Sequence, residues 1–296
     1  MSDLQVNILG YSQLGSYASE FEQALEFDVR TILRNKKSIK FMAKQDKMAV
    51  IAATNAFNMA GINGHSAGGN TGLYFAIGHI PFEQAPLDVL VEKSVIDNEF
   101  SMQQFSTQAA HALNPLLTFK CLPNMPVFHV SYNLNITGGY YVTYPGAGQW
   151  FQALQKAMID LESQRVEYAI VGAVADQLNP VVKHHVRRTQ AASVERLIDS
   201  ACVLVLSKNS SKSAVGHISD VGLAYRANDI LTTPPDIRNL NRAMNALDAG
   251  VVDPALYIAQ ILDQQQSTYK KQSATEQSIS INTIDGISAN LKLSLP

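Results

Sequence analysis

The chain has 296 residues, enough for one large domain or two small ones around a sizeable core. Its 23 lysines and arginines against 25 aspartates and glutamates leave a net charge of −2 without a basic stripe, which argues against nucleic acid as a ligand. Charged residues are only 16% of the chain, which points to surface covered by a partner. Cys121 and Cys202 lie in apolar stretches at a spacing that fits no metal site, and they read as reduced core thiols. The start, MSDLQVNILG, lacks the basic residues and apolar block of a signal peptide. No apolar run is long enough to span a bilayer, so a cytoplasmic protein is expected.

In chain order, residues 4–9 read as a strand ended by Gly10. Residues 19–33 and 39–60 read as helices, with Met48, Ile51, Ala52, Ala56 and Met59 at helical spacing in the second. Gly61 and the polar run 63–70 end that helix, and residues 73–77 form a strand. Residues 86–113 contain helix that stops before Pro115. Residues 127–132 and 140–143 read as strands. Residues 148–163 read as a helix with Phe151, Leu154, Met158 and Leu161 on one face. Buried-type strands follow at 168–174 and 201–206. Strands alternating with helices predict a layered α/β sandwich.

The polar run 207–213 marks a boundary between a first half, 1–207, and a second half, 208–296. In the second half, residues 217–223 suggest a strand and 239–247 a helix ended by Gly250. Residues 255–262 suit either a strand or a helix. Residues 264–278, rich in Gln, Ser, Thr and Lys, read as a mobile loop. Residues 279–284 and 290–295 close the chain as two strand-like pieces.

The most informative junction is Pro145-Gly146-Ala147-Gly148, where an extended aromatic run breaks and an amphipathic helix begins. Such strand-to-helix turns are where α/β enzymes present a nucleophile, because the helix N-terminus offers free N–H donors and a positive dipole end. The residue at this turn is Ala147, whose methyl group neither attacks a thioester nor moves a proton. Other polar groupings have plainer readings. His184-His185 with Arg187-Arg188 is a solvated face. His129 reads as a hydrogen-bonded core or interface residue. Gly68 to Gly72 lacks the lysine and spacing of a P-loop and reads as a turn. Asp199-Ser200 has no nucleophile-elbow pattern around it. Gln149 reads as an ordinary first-turn helix residue.

The segment from Pro115 to Leu154 resembles the β-ketoacyl-acyl-carrier-protein synthase (ketosynthase) family without a gap. Asn114-Pro115-Leu116-Leu117 is similar to the family's S-P-F-F, and Asn124-Met125 to its N-M. His129-Val130-Ser131 and Gly138-Gly139 are similar to its H-L-T and G-P. Counting on from Gly138, the family's active cysteine falls on Ala147. Flanking matches begin with Val6 to Gly10 against the opening strand and Met48 to Gly61 against an alanine-rich helix. Tyr168 to Val174 and Ser200 to Leu206 match two buried strands. Residues 231–235 with Arg242 to Gly250 are similar to T-A-P followed by an alanine-rich helix. The histidine motifs H-G-T-x-T and K-x-x-x-G-H have no counterpart, and no histidine follows His217.

The resemblance implies a thiolase-like layered α/β sandwich, one domain with a shortened second half. A ketosynthase needs a thiolate and two imidazoles to polarise and stabilise the enolate. With all three missing, the resemblance implies not an active enzyme but a chain-length factor of polyketide or fatty-acid-like biosynthesis, with an aryl polyene pathway as the expected setting. Such subunits pair with an active ketosynthase in a heterodimer or heterotetramer, and meet the acyl carrier protein through it. They need no cofactor and no metal. Gly139, Tyr140, Tyr141, Val142, Thr143 and Tyr144 are then an edge strand at the dimer interface. Leu117 and Cys121, with Thr118, Phe119 and Met125 nearby, are the expected tunnel-closing residues, although Phe119 and Met125 suit plain core roles equally well. Two alternatives stay open: an altered enzyme, such as a malonyl decarboxylase or thioester hydrolase, and a purely structural scaffold.

Overall fold

The computed structural model describes residues 4–16, 25, 28–62, 68–189, 194–209, 214–225, 247–267, 276–283 and 286–295. The first strand, β1 (Val6–Ser16), is longer than residues 4–9 suggest and runs straight through Gly10. A β-bulge lies between Ile8 and Gly10 in its pairing with a later strand. A Cβ on Gly10 would sit 2.5 Å from the Ala56 carbonyl oxygen, so glycine is what lets the following helix lie close. That helix, α1 (Lys44–Met59), starts where the Asp46 carboxylate accepts the Ala43 N–H at 2.7 Å, half of a capping box. A 3-10 turn, Lys36–Phe41, precedes it. Residues 28–32 are helical, while most of the helix expected over 19–33 falls outside the described residues.

After the turn at Gly68–Asn70 comes β2 (Thr71–Ile77), buried throughout. The helical region expected over 86–113 is an arm of several pieces. It comprises α2 (Gln84–Ser94), a tight hairpin of β3 (Val95–Ile96) and β4 (Glu99–Phe100), and a helical run over residues 102–112 (α3). The centre of α3, Phe105–Ala109, is wound as a π-helix. A short helix α4 (Leu117–Lys120) follows Pro115.

Residues 127–132 are not a strand. They lie inside helix α5 (Met125–Leu134), with Pro126 in its first turn and Asn135 at φ 55° closing it. Val127 and Val130, three apart, both face α1, so packing overrides the β-propensity of Val, Phe and Tyr. Then come β5 (Tyr140–Thr143), α6 (Gln149–Glu162), β6 (Tyr168–Ala175), α7 (Pro180–Thr189), β7 (Asp199–Ser207) and β8 (Gly216–Tyr225). The helix expected over 239–247 lies outside the described residues apart from Leu247. The 255–262 ambiguity resolves as helix α8 (Asp253–Ser267), closed by the strands β9 (Glu276–Asn282) and β10 (Ile287–Ser294). Within the loop expected over 264–278, residues 264–267 belong instead to α8 and 276–278 to β9, and residues 268–275 lie outside the described residues.

Among the described residues eight strands form one sheet in the order β5-β2-β6-β7-β1-β8-β10-β9, and β3 with β4 stands apart from it. The strands β5, β2 and β6 run parallel, and the remaining pairs are antiparallel. Its two faces carry separate apolar cores. Phe75, Val203 and Val205 meet α1 and α5 on one side. Tyr74, Val171 and Leu204 meet Trp150 and Leu154 of α6 and Ile258 of α8 on the other. This is the layered α/β sandwich expected from the sequence. Among the described residues no helix is long and apolar enough to cross a membrane.

Candidate functional site

The junction at Ala147 has the expected form. The strand β5 ends at Thr143, Pro145 and Gly146 reverse the chain, and α6 begins at Gln149 with Gly148 as its N-cap. Thr143 Oγ1 donates to the Gln149 carbonyl at 3.3 Å, which fixes the turn against the helix it feeds. Trp150 and Phe151, in the first turn, are buried and meet edge to face at 5.3 Å. Ala147 itself is half-buried. The site presents a methyl group at a helix N-terminus, a place suited to a nucleophile.

Among the described residues β5 is the terminal strand of the sheet and pairs with β2 alone. Leu73 N–H donates to Gly139 O at 3.0 Å, so that carbonyl faces β2 and the Tyr140 N–H, in the same peptide plane, faces outward. The side chains of Tyr140 and Tyr144 are 70% and 83% exposed, while Tyr141 and Val142 are half-buried. An edge left unpaired by the described residues and carrying exposed tyrosines is a ready template for another strand.

The five expected tunnel-closing residues separate into two groups. Leu117 and Cys121 are half-buried and Thr118 is exposed. Phe119 and Met125 instead line a groove of about 600 Å³ between the Lys36–Phe41 turn and α5. Phe119 stacks edge-on against Phe41 at 6.0 Å. The sequence reading missed the groove's other aromatic wall, Phe128 and Tyr132. Their i, i+4 spacing would have revealed it had residues 127–132 been read as helix.

His129 is a core residue, 2% exposed, but its Nε2 lacks the hydrogen bond expected of it and lies 4.0 Å from Asp46 Oδ2. Burial depresses its pKa to about 4, so the imidazole is neutral at physiological pH. A second cluster sets Lys44 Nζ between Asp176 at 3.2 Å and Asp199 at 3.0 Å. Burial raises the Asp176 pKa, against the pull of Lys44. Tyr74 donates to Asp160 at 2.9 Å, and Lys156 pairs with the same carboxylate. These networks bind together residues far apart in sequence, and none includes Ala147. His184 and His185 are exposed on α7, and Gly68–Asn70 is a plain turn. Both cysteines are free, with Cys202 buried and Cys121 half-buried. Among the described residues no group of three or more His, Cys, Asp or Glu could hold a metal.

The family model for the β-ketoacyl synthase N-terminal domain matches residues 11–200. No curated protein matches the chain in sequence. Among solved structures, the chain is similar to the AntDE:AntF complex of a type II polyketide synthase acyl-carrier protein with its ketosynthase bound to the hexaketide. The TM-score is 0.71 at 10% identity, over 99% of this chain and 100% of that one. It is similar to the ishigamide ketosynthase/chain length factor, with a TM-score of 0.69 at 13% identity, over 98% and 99% of the two chains. It is also similar to a β-ketoacyl synthase from Burkholderia phymatum STM815, with a TM-score of 0.67 at 13% identity, over 99% of each chain. At such identities these likenesses speak for the fold, and the family model speaks for descent. The chain belongs to the β-ketoacyl synthase family.

Proposed function

We propose that this chain is a non-catalytic chain-length-factor subunit that pairs with an active ketosynthase. The observation that carries the reading is Ala147: the turn built to present a nucleophile carries a methyl group. The missing histidine motifs support it, since no histidine follows His217 in the sequence. A condensing step needs a thiolate and imidazoles to take up negative charge, and this chain supplies neither at the turn.

The role is then steric and structural. The whole chain acts as one thiolase-like domain, with a first half over 1–207 and a shortened second half over 208–296. Its free edge, Gly139 to Tyr144, adds to the sheet of the ketosynthase subunit. Leu117, Thr118 and Cys121 bound the far end of that subunit's acyl tunnel, with Phe119 and Met125 backing them from the groove. Each extension of the chain needs more cavity, so an intruding side chain makes the next step costly, as in an overpacked core. The acyl carrier protein reaches the pair through the ketosynthase, in the cytoplasm. A pathway of type II polyketide or aryl polyene character suits such a pair, as a dimer or a tetramer.

Co-expression with a ketosynthase partner and analysis of the products tests this. The two proteins co-purify, Leu117→Ala lengthens the product and Cys121→Trp shortens it. Turnover of malonyl-carrier protein by this chain alone would instead make it an enzyme with altered chemistry. Unchanged product lengths in both variants would reduce it to a scaffold.

A further inference from the structure

We infer that the groove between the Lys36–Phe41 turn and α5 is a binding site for a flat aromatic or conjugated carboxylate, separate from the turn at Ala147. The separation is topological. Helix α5 packs with α1 on one face of the sheet, whereas Ala147 leads into α6 on the other. The inference thus goes beyond the proposed function and rests on it only for the ketosynthase partner used in the test.

Three observations point to this ligand class. The first is shape. A volume of about 600 Å³ falls within the small-molecule range of roughly 300–1,000 Å³. Phe41 and Phe119 meet edge to face at 77°, and Phe128 and Tyr132 lie stacked, 19° apart in plane. Ring faces and edges in this arrangement accept another flat π-system better than a flexible chain. Phe119, Phe128 and Tyr132 stay about half exposed, an apolar patch that a settled core would have buried.

The second is charge. Lys37 and Lys40 stand in the lining, which holds no aspartate or glutamate. Lys40 Nζ lies 4.9 Å from the Phe41 ring centre, so the cation is already set against the aromatic wall. An anionic end at this mouth meets positive potential while the ring enters the slot. The third is a buried polar atom without a hydrogen bond. His129 forms part of the lining, and its Nε2 makes no hydrogen bond, with Asp46 Oδ2 4.0 Å away. Orphans of this kind are uncommon in completed cores.

The test is a titration of the full chain, alone and in complex with its ketosynthase partner. The probes are 2-naphthoate, its neutral counterpart naphthalene-2-carboxamide, and laurate as a flexible carboxylate. One naphthoate binds per chain, and the carboxamide binds about three- to tenfold more weakly, the scale of one or two exposed charge contacts. The gap between them closes in the Lys37→Gln/Lys40→Gln variant. Phe128→Ser, at an exposed position that tolerates change, weakens both aromatic probes, while Tyr225→Ser in the separate groove beside α6 leaves them unchanged. Equal binding of naphthoate and carboxamide to the unaltered chain overturns the inference. So does tighter binding of laurate, which makes the groove a site for flexible acyl chains. So does exclusion of the probe by the ketosynthase, which makes the groove a protein interface. All three results leave the proposed function standing, since that reading fails on co-purification and product length.

Discussion

Gly138 and its neighbour Gly139 form a matched pair that tests how β5 is held in place. A Cβ on Gly138 would lie 2.2 Å from Thr71 O, 2.8 Å from Gly69 O and 2.9 Å from Thr71 C, all backbone atoms. Carbon–oxygen contacts settle near about 3.3 Å, so the chain around residue 138 must retreat by about 1 Å. That motion stretches the Thr137 N–H to Gly68 O and Leu73 N–H to Gly139 O bonds, both 3.0 Å long. Overpacking of about 1–3 kcal/mol and about 1 kcal/mol per weakened bond oppose a gain of about 0.4–1 kcal/mol from the stiffer unfolded chain. Gly138→Ala therefore destabilises by about 2–5 kcal/mol. A Cβ on Gly139 meets nothing within 4 Å, so Gly139→Ala is neutral or slightly stabilising. Urea unfolding of the two full-length variants measures the difference, and capture of the ketosynthase partner reports whether β5 has moved. Coincident unfolding midpoints would show that residues 137–139 yield without cost and that the tight approach does not hold the edge.

Three other outcomes follow from the same structure. Tyr140→Pro removes an outward N–H at the first residue of an edge strand, where proline is tolerated, so it lowers partner capture at least tenfold while stability changes by less than about 1 kcal/mol. Capture at the original level would mean that the partner does not pair with β5. On the proposed reading, Ala147→Cys adds a thiol but creates no condensing activity, because no histidine follows His217 to serve the second half of the site; decarboxylation and condensation of malonyl-carrier protein by that variant alone would contradict this. Burial raises the Asp46 and Asp253 pKa values from 3.8 to about 8, so the folded chain keeps protons that the unfolded chain has released. Their stabilising effect is complete below about pH 3.8 and is lost as pH climbs to about 8, by at most about 1.4 kcal/mol per pH unit for each carboxyl. Unfolding midpoints should fall between pH 6 and pH 8, and Asp253→Asn should flatten part of that slope. A midpoint that rises over this interval would show that both groups are ionised in the fold.

The elements with one dominant pattern were legible in the sequence. The seven buried residues of β2 and the apolar stripe of α6 needed no tertiary information to place them. The α5 helix was not legible, because Val127, Phe128, Val130 and Tyr132 favour strands locally and only α1 gives Val127 and Val130 a shared face. The β3–β4 hairpin escaped notice because its strands are two residues each, joined through Asp97 and Asn98 at positive φ. The turn at Ala147 was legible from the break in the aromatic run and the amphipathic helix after it, and its reading as a nucleophile position came from the family resemblance. The groove was not, since its walls come from residues some eighty positions apart and exist only once α5 is helical. The Lys44–Asp176–Asp199 and Tyr74–Asp160 networks were hidden for the same reason, with partners 86 to 155 residues away.

The way β1 joins the two parts of the sheet has a mechanical consequence. It is zipped to β7 over nearly its whole length but meets β8 at only three positions: Val6 with Ile218, Asn7 with His217, and Ile8 with Gly216. A contact between His217 Nδ1 and Asn7 Oδ1 at 2.7 Å reinforces that short line. Farther along, Asp263 of α8 clasps Tyr11 and Gln13 from above. Tension on the C-terminus would peel β8, β10 and β9 off as a flap hinged at α8, while the five-stranded remainder stays zipped.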